Sequence, residues 1–223
     1  MPTTYPVSIA EMCDRYKKLY TGVIGDILDK RGYRHQILPY YINPIRDDMI
    51  IAGPAFTGYG EPHNDPTEDD TPMRLAMLEE ITPHSISVWA TNDDFSAAHW
   101  GEIMSTAARQ RGCTGAVVDG GVRDTSFILD MNFPIFCRFK CSASSIGRWS
   151  IRKFQVPIVI GRTQINPGDF IMGDIDGVVV IPQAVAYDIL NEAEEISVRE
   201  RKMRAELRKG VGITEVYKKY GSL

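Results

Sequence analysis

The chain has 223 residues, 43% of them apolar and 24% charged, and a formal charge of −4. A chain of that length buries roughly 70% of the surface it exposes when unfolded, so neither a disulfide nor a structural metal is needed to hold its core. Acidic and basic residues are interspersed, which gives little attraction to nucleic-acid phosphates, and no run approaches the ~20 apolar residues of a membrane span.

The stretch MPTTYPVSIAEM lacks the basic-then-apolar pattern of a secretory signal. Cys13, Cys113, Cys137 and Cys141 have no partner Cys or His pair at zinc-module spacing. A reduced, cytoplasmic compartment is the expectation. Ser8 followed by Glu11 predicts a capped helix over residues 9–28, with Gly22 and Gly25 weakening its middle as the points where it can split. ILPYYINPIRDDMIIAGPAFTGYG reads as short strands and turns, because Asn-Pro and Gly-Pro break its apolar runs. EPHNDPTEDDTP, residues 61–72, is polar with three prolines and reads as a surface loop leading to a short helix near 73–80.

SISVWA predicts a strand, AAHWGEIMSTAARQRG a helix over 97–112 stopped by Gly112, GAVVDG a buried strand, DTSFILDM a brief helix and PIFCRF another strand. This alternation argues for an α/β core with strands buried on both faces. From Val156, VPIVIGRTQINPGDFIMGDIDGVVVIP reads as three short strands between glycine-rich turns. Residues 183 to about 209 predict a long helix in which 191–209 carry five acidic and six basic residues, so opposite charges should lace its exposed face. The whole forms one domain over 1–223, with a helical segment at 1–30 and a helical extension at 183–223.

The chemistry concentrates in GAVVDGGVRDTSF, residues 115–127. Asp119 is either a turn carboxylate or part of a site, and Gly120 and Gly121 would let the backbone turn sharply or approach a bound group. Arg123 and Asp124 can cap the following helix, or they can supply a carboxylate-matching fork and a ligand for a hard divalent cation. If a helix begins near Gly101, the first-turn amides of Glu102, Ile103 and Met104 can cradle an anion; if it begins earlier, those amides are used up. His99 is close enough to assist such a site or to be an ordinary hydrogen-bonded histidine. There is no GxGxxG run, no GxxxxGK[ST] loop and no Ser-His-Asp or Cys-His arrangement.

WGEIMSTAARQRGCTGAVVDGGVRD, together with FPIFCR and PGDFIMGDIDGVVVIP, resembles the RraA-like family of 4-hydroxy-4-methyl-2-oxoglutarate/4-carboxy-4-hydroxy-2-oxoadipate aldolases and regulators of ribonuclease activity. The resemblance implies a swivelling β/β/α-type α/β domain assembled as a homotrimer or a dimer of trimers. It implies a lyase that uses Mg²⁺ or Mn²⁺ to release pyruvate from a small anionic 4-hydroxy-2-oxo acid, with oxaloacetate decarboxylation as a companion activity. By the same match, Arg123 binds the 2-oxo acid, Asp124 binds the metal, and Gly101, Glu102, Ile103 and Met104 surround the pyruvoyl carboxylate. Glu200 resembles an acidic position that reaches an adjacent subunit's site. Water activated through Glu102 or Asp119 would take the 4-hydroxyl proton. The sequence departs from the aldolases at Phe127, where many carry an acidic residue; Asp130 lies three positions farther on. The alternative is a non-catalytic, protein-binding regulator. No cofactor loop or membrane-binding stretch supports a quinone methyltransferase.

Overall fold

The computed structural model describes residues 4–221. Ser8 caps α1 (Ile9–Tyr16) by accepting the Glu11 amide at 3.1 Å, as its spacing predicts. The helix breaks at residues 17–20 and not at a glycine, and α2 (Thr21–Lys30) carries both Gly22 and Gly25. The restart is fixed from far away in sequence: Asp174 accepts the Thr21 amide at 2.8 Å and its hydroxyl at 2.7 Å.

The chain then forms β1 (Asn43–Pro44), β2 (Ile51–Pro62), α3 (Thr71–Glu80), β3 (Ile86–Ala90), β4 (Ala98–Trp100), α4 (Glu102–Gln110), β5 (Gly115–Val122), α5 (Thr125–Asp130) and β6 (Ile135–Lys140). The expected helix over 97–112 is therefore a strand followed by a shorter helix. Ala98, His99 and Trp100 are buried beside β5, and that strand pairing overrides the helical propensity of the alanines. Next come β7 (Trp149–Phe154), which the sequence reading missed, and β8 (Ile158–Ile160), β9 (Thr163–Ile165), β10 (Phe170–Asp174) and β11 (Gly177–Ile181). Four strands replace the expected three because Gly161, at φ +61°, turns β8 back onto β9. A 3₁₀ turn (Gln183–Val185) leads into α6 (Ala186–Arg208), and α7 (Ile213–Tyr220) follows.

One sheet runs β1-β6-β5-β3-β2-β10-β11, with β4 added to β5 and β7 to β2. β2, β3, β5 and β6 are parallel to one another, whereas β10, β11, β7 and β1 join antiparallel. The end strands β1 and β11 touch, so the sheet curls into a nearly closed barrel. Its apolar interior includes Ile51, Val88, Val117, Phe136, Ile171 and Val180, and the β8–β9 hairpin adds Ile158, Ile160 and Ile165. Outside, α3, α4 and α5 cover a layer centred on Trp89, Trp100 and Trp149.

The helices α1, α2 and α6 cover β10 and β11. The charges of α6 are used mainly between helices: Arg15 meets Glu194 at 2.6 Å, Arg31 meets Glu192 at 2.6 Å, and Lys219 meets Glu206. All four cysteines are free. Among the described residues, no helix is long and apolar enough to cross a membrane.

Candidate functional site

The two chain segments singled out by sequence meet because β4 and β5 are parallel neighbours. Trp100 pairs with Val122, and the Arg123 amide donates to the Trp100 carbonyl at 3.0 Å. Gly101 and Arg123 are thus the first residues beyond two adjacent strand ends, where ligands of parallel α/β sheets commonly bind. Gly120 and Gly121 lie within β5 and make no turn. A Cβ on Gly120 would come 2.4 Å from His99 Nδ1, and one on Gly121 would come 2.5 Å from the Ala97 carbonyl oxygen, so these glycines let β4 approach.

Gly101 is extended (φ −152°, ψ −172°) and serves as the N-cap of α4 without a side chain to offer. Ser105 fixes that start: its hydroxyl accepts from Trp100 Nε1 at 2.8 Å and donates to the Gly101 carbonyl at 3.0 Å. The amides of Glu102, Ile103 and Met104 find no acceptor among the described residues. A helix N-terminus in this state attracts negative charge through its free N–H groups and its dipole.

Asp124 precedes α5 but does not cap it. Its backbone is left-handed (φ 56°, ψ 32°), an unfavourable conformation for a residue with a Cβ, and its side chain makes no capping hydrogen bond. The carboxylate turns toward Gly101, where an added Cβ would come 2.9 Å from Oδ2. Arg123 Nε lies 3.4 Å from that oxygen, and the two side chains are 44% and 43% exposed, so both remain open to a ligand.

Arg123, Asp124, Gly101, Ile103 and Met104 line one cavity of about 230 Å³. The sequence reading missed Asp70, Arg74, Ser144 and Ser145 on its walls. Arg74 donates to Asp70 at 2.6 Å and, through its other amino group, only to the weak acceptor Met104 Sδ at 3.5 Å. Its Nη2 also reaches Ser145 Oγ at 3.5 Å, and a second guanidinium thus lines the cavity at which α4 begins. The i,i+4 spacing of Asp70 and Arg74 was the available sequence signal, but their placement depends on β7, since the Ile151 amide donates to Asp70 at 2.9 Å.

Other expected site residues lie elsewhere. Glu102 begins α4, but its carboxylate accepts from Thr106 at 2.7 Å and does not line the cavity. Asp119 is buried against Arg138 on the wall of another cavity. Glu200 is bonded to Tyr20 and Arg204. Phe127 is exposed, and neither it nor Asp130 lines the Arg123 cavity. His99 does line it, but both ring nitrogens are engaged: Nδ1 accepts the Gly121 amide at 3.0 Å, so Nε2 carries the proton and meets Asp94 at 2.9 Å. Burial lowers its pKa against the opposing pull of Asp94, and with both nitrogens engaged the ring suits a fixed strut better than a proton carrier.

Mg²⁺ takes oxygen ligands, commonly one or two carboxylates with water or substrate completing the shell. Asp124 offers one open carboxylate on the cavity wall. No group of three His, Cys, Asp or Glu suited to a metal occurs among the described residues. The donor set thus fits a cation shared with substrate and water oxygens, and does not fit an all-protein cage.

The architecture and this cavity define a swivelling β/β/α-type domain with two arginines and a free helix N-terminus gathered at parallel strand ends. The model of the RraA-like family (Aldolase/RraA) matches residues 9–180, and the chain belongs to that family. It is 33% identical over 181 residues to a Halalkalibacterium halodurans protein provisionally named 4-hydroxy-4-methyl-2-oxoglutarate aldolase, covering 81% of each chain. It is 29% identical over 199 residues to Protein DlpA of Legionella pneumophila; that match covers 88% of this chain and 32% of DlpA, so this chain spans about a third of that relative. A crystal structure described as one of novel cellulases from microbes associated with the gut ecosystem superposes with a TM-score of 0.87 at 38% identity, covering 91% of this chain and 90% of the other.

Proposed function

We propose that the protein is a divalent-metal-dependent lyase that cleaves a 4-hydroxy-2-oxo acid to pyruvate and also decarboxylates oxaloacetate. The carrying observation is the convergence of Arg123, Asp124 and the start of α4, with Gly101, Ile103 and Met104, on one cavity. Arg123 and these amides bind the carboxylate end of the substrate and fix its 2-oxo group near Asp124. Asp124 would hold Mg²⁺ or Mn²⁺, which would supply Lewis-acid stabilisation of developing negative charge. Arg123 adds a fixed positive charge to the same end as the C3–C4 bond breaks and an enolate of pyruvate forms. Protonation at C3 completes pyruvate.

The 4-hydroxyl proton needs an acceptor within reach. Besides Asp124, Asp70 is the carboxylate on the cavity wall. Its Oδ2 holds Arg74 and the Ile151 amide, whereas its Oδ1 accepts no hydrogen bond among the described residues. We assign the proton to Asp70, directly or through water, in place of Glu102 or Asp119 acting within this chain. Glu200 keeps the role of reaching a neighbouring subunit in a homotrimer or dimer of trimers. A neutral glucan would leave the free helix N-terminus of α4 without a negative partner, so the cavity favours an oxo acid over a cellulose chain.

The test is pyruvate release from oxaloacetate and from 4-hydroxy-4-methyl-2-oxoglutarate with Mg²⁺ or Mn²⁺, before and after EDTA. Metal-dependent turnover that disappears in folded Arg123→Ala supports the reading. EDTA-insensitive turnover refutes the metal assignment. A folded protein that consumes neither acid but forms a stable complex with a ribonuclease favours the regulator.

A further inference from the structure

A second cavity, of about 490 Å³, opens at one mouth of the barrel between the ends of β3 and β5 and the β8–β9 hairpin. It shares no lining residue with the Arg123 cavity. Barrel mouths are common ligand sites.

Asp119 is the group there that packing does not explain. Its side chain is 6% exposed, and Arg138, equally buried, binds one of its oxygens. The guanidinium is held under Tyr41 and Phe95, 4.4 and 5.1 Å from their ring centres, and also donates to the Tyr41 hydroxyl at 2.8 Å and to Asp93 at 2.7 Å. The second oxygen of Asp119 accepts no hydrogen bond among the described residues, although the residue lines the cavity. That oxygen opens onto the cavity and is not sealed in the core, while burial of the group pushes the Asp119 pKa up to about 6 despite its arginine.

The surroundings indicate what would satisfy it. Two carboxylates, the buried Asp119 and the largely exposed Asp93, meet one guanidinium, which leaves a net negative charge at the mouth of the cavity. Asn92 adds an amide acceptor; it and Asp93 both have φ of 57°, a left-handed turn that brings Asp93 onto Arg138. Tyr41, Tyr59 and the aliphatic Pro157, Ile158 and Val159 supply the remaining walls. An anion would meet net negative charge. A metal ion would lack ligands, since no group of three suitable side chains occurs among the described residues.

We propose that this cavity binds a small organic cation, with a primary ammonium on the free Asp119 oxygen and an apolar or aromatic body between the tyrosines and the β8–β9 hairpin. An ammonium group brings three donors and one positive charge, which match the acceptors and the imbalance. This site stands independently of the lyase reading.

The test titrates the full chain with 2-phenylethylammonium, with 3-phenylpropanol and 3-phenylpropionate as neutral and anionic controls of similar shape, by calorimetry and ligand-detected NMR. The expected result is binding of the ammonium alone, weakened at least ~10-fold in Asp119→Asn, about 1.4 kcal/mol. Val159→Trp fills the cavity from an exposed hairpin position and should weaken it similarly; it carries the test if Asp119→Asn does not fold. Oxalate binding in the Arg123 cavity should be unchanged in both variants. No ammonium binding by the wild type at about 20 mM, a range that would detect affinities of only ~2–3 kcal/mol, overturns the proposal. Equal binding of the alcohol, or ammonium binding that survives Val159→Trp, overturns it as well.

Discussion

Replacing Gly101 by alanine tests the candidate site with little disturbance of the fold. The backbone there is extended at φ −152°, which alanine adopts without strain, and Gly101 contributes no side-chain cap that could be lost. The added methyl would lie 2.9 Å from Asp124 Oδ2 and 3.3 Å from Arg123 Cγ. Ordinary contact begins near 3.4 Å, so the carboxylate must retreat by about 0.5 Å and the arginine stem by less. Both side chains are more than two-fifths exposed and can give way without moving the core. They are also the proposed metal and oxo-acid ligands, and a misplacement of ~1 Å in a reacting array can cost about 100-fold in rate. Gly101→Ala should therefore lower kcat/KM for metal-dependent oxaloacetate decarboxylation by about 10- to 100-fold, or ~1.4–2.7 kcal/mol, with Tm nearly unchanged. The assay is enzyme-dependent pyruvate release, corrected for the spontaneous reaction, alongside thermal unfolding and oxalate titration. A folded variant with kcat/KM and oxalate affinity within about twofold of wild type would refute the assigned geometry.

Arg123→Ala should reduce turnover of either oxo acid by at least ~100-fold and weaken oxalate binding, since a fixed charge on developing negative charge contributes roughly 2.7–4 kcal/mol; single-turnover kinetics and oxalate titration check both. Asp70→Asn should slow aldol cleavage by about 100-fold or more while leaving oxaloacetate decarboxylation within ~3-fold, because only the former needs a 4-hydroxyl proton acceptor; equal losses in the two reactions would remove Asp70 from that role. Asp174→Ala removes a buried carboxylate that accepts both the Thr21 amide and hydroxyl, and should lower unfolding free energy by about 1–2 kcal/mol in denaturant titrations. Asp119 has a folded pKa of about 6, raised first by burial, against an unfolded value of ~3.9. The folded state therefore binds its proton more tightly, and the contribution to stability is greatest below about pH 4, falls as pH rises toward 6 and is flat above, by ~3 kcal/mol in all. The wild-type stability minus that of Asp119→Asn should decline across that window.

The chemistry of the candidate site was legible where it is local, and illegible where it depends on which strands become neighbours. Gly-Glu and Arg-Asp could be picked out as a pair of segments, and Ser8 as a cap, because each is expressed within a few residues. The start of α4 could not be decided locally: alanine and tryptophan permit a helix at 97–100, and only pairing with β5 makes them a strand. The same pairing accounts for Gly120 and Gly121, which resemble turn residues in sequence but serve close strand contact. Arg74 and Asp70 were hidden because β7, unrecognised in sequence, helps define their wall. Asp119 shows the reverse error. It is five positions from Asp124 along the chain, yet strand alternation places it with Val117 toward the barrel interior, and the register shift between Val118 and Gly121 breaks that alternation before Arg123. Proximity in sequence therefore assigned one site to carboxylates that the sheet divides between two cavities. A single strand end can in this way hold an anion-directed centre and, a few residues earlier, a buried negative charge of the opposite preference, with Arg138 offsetting part of the cost of the second.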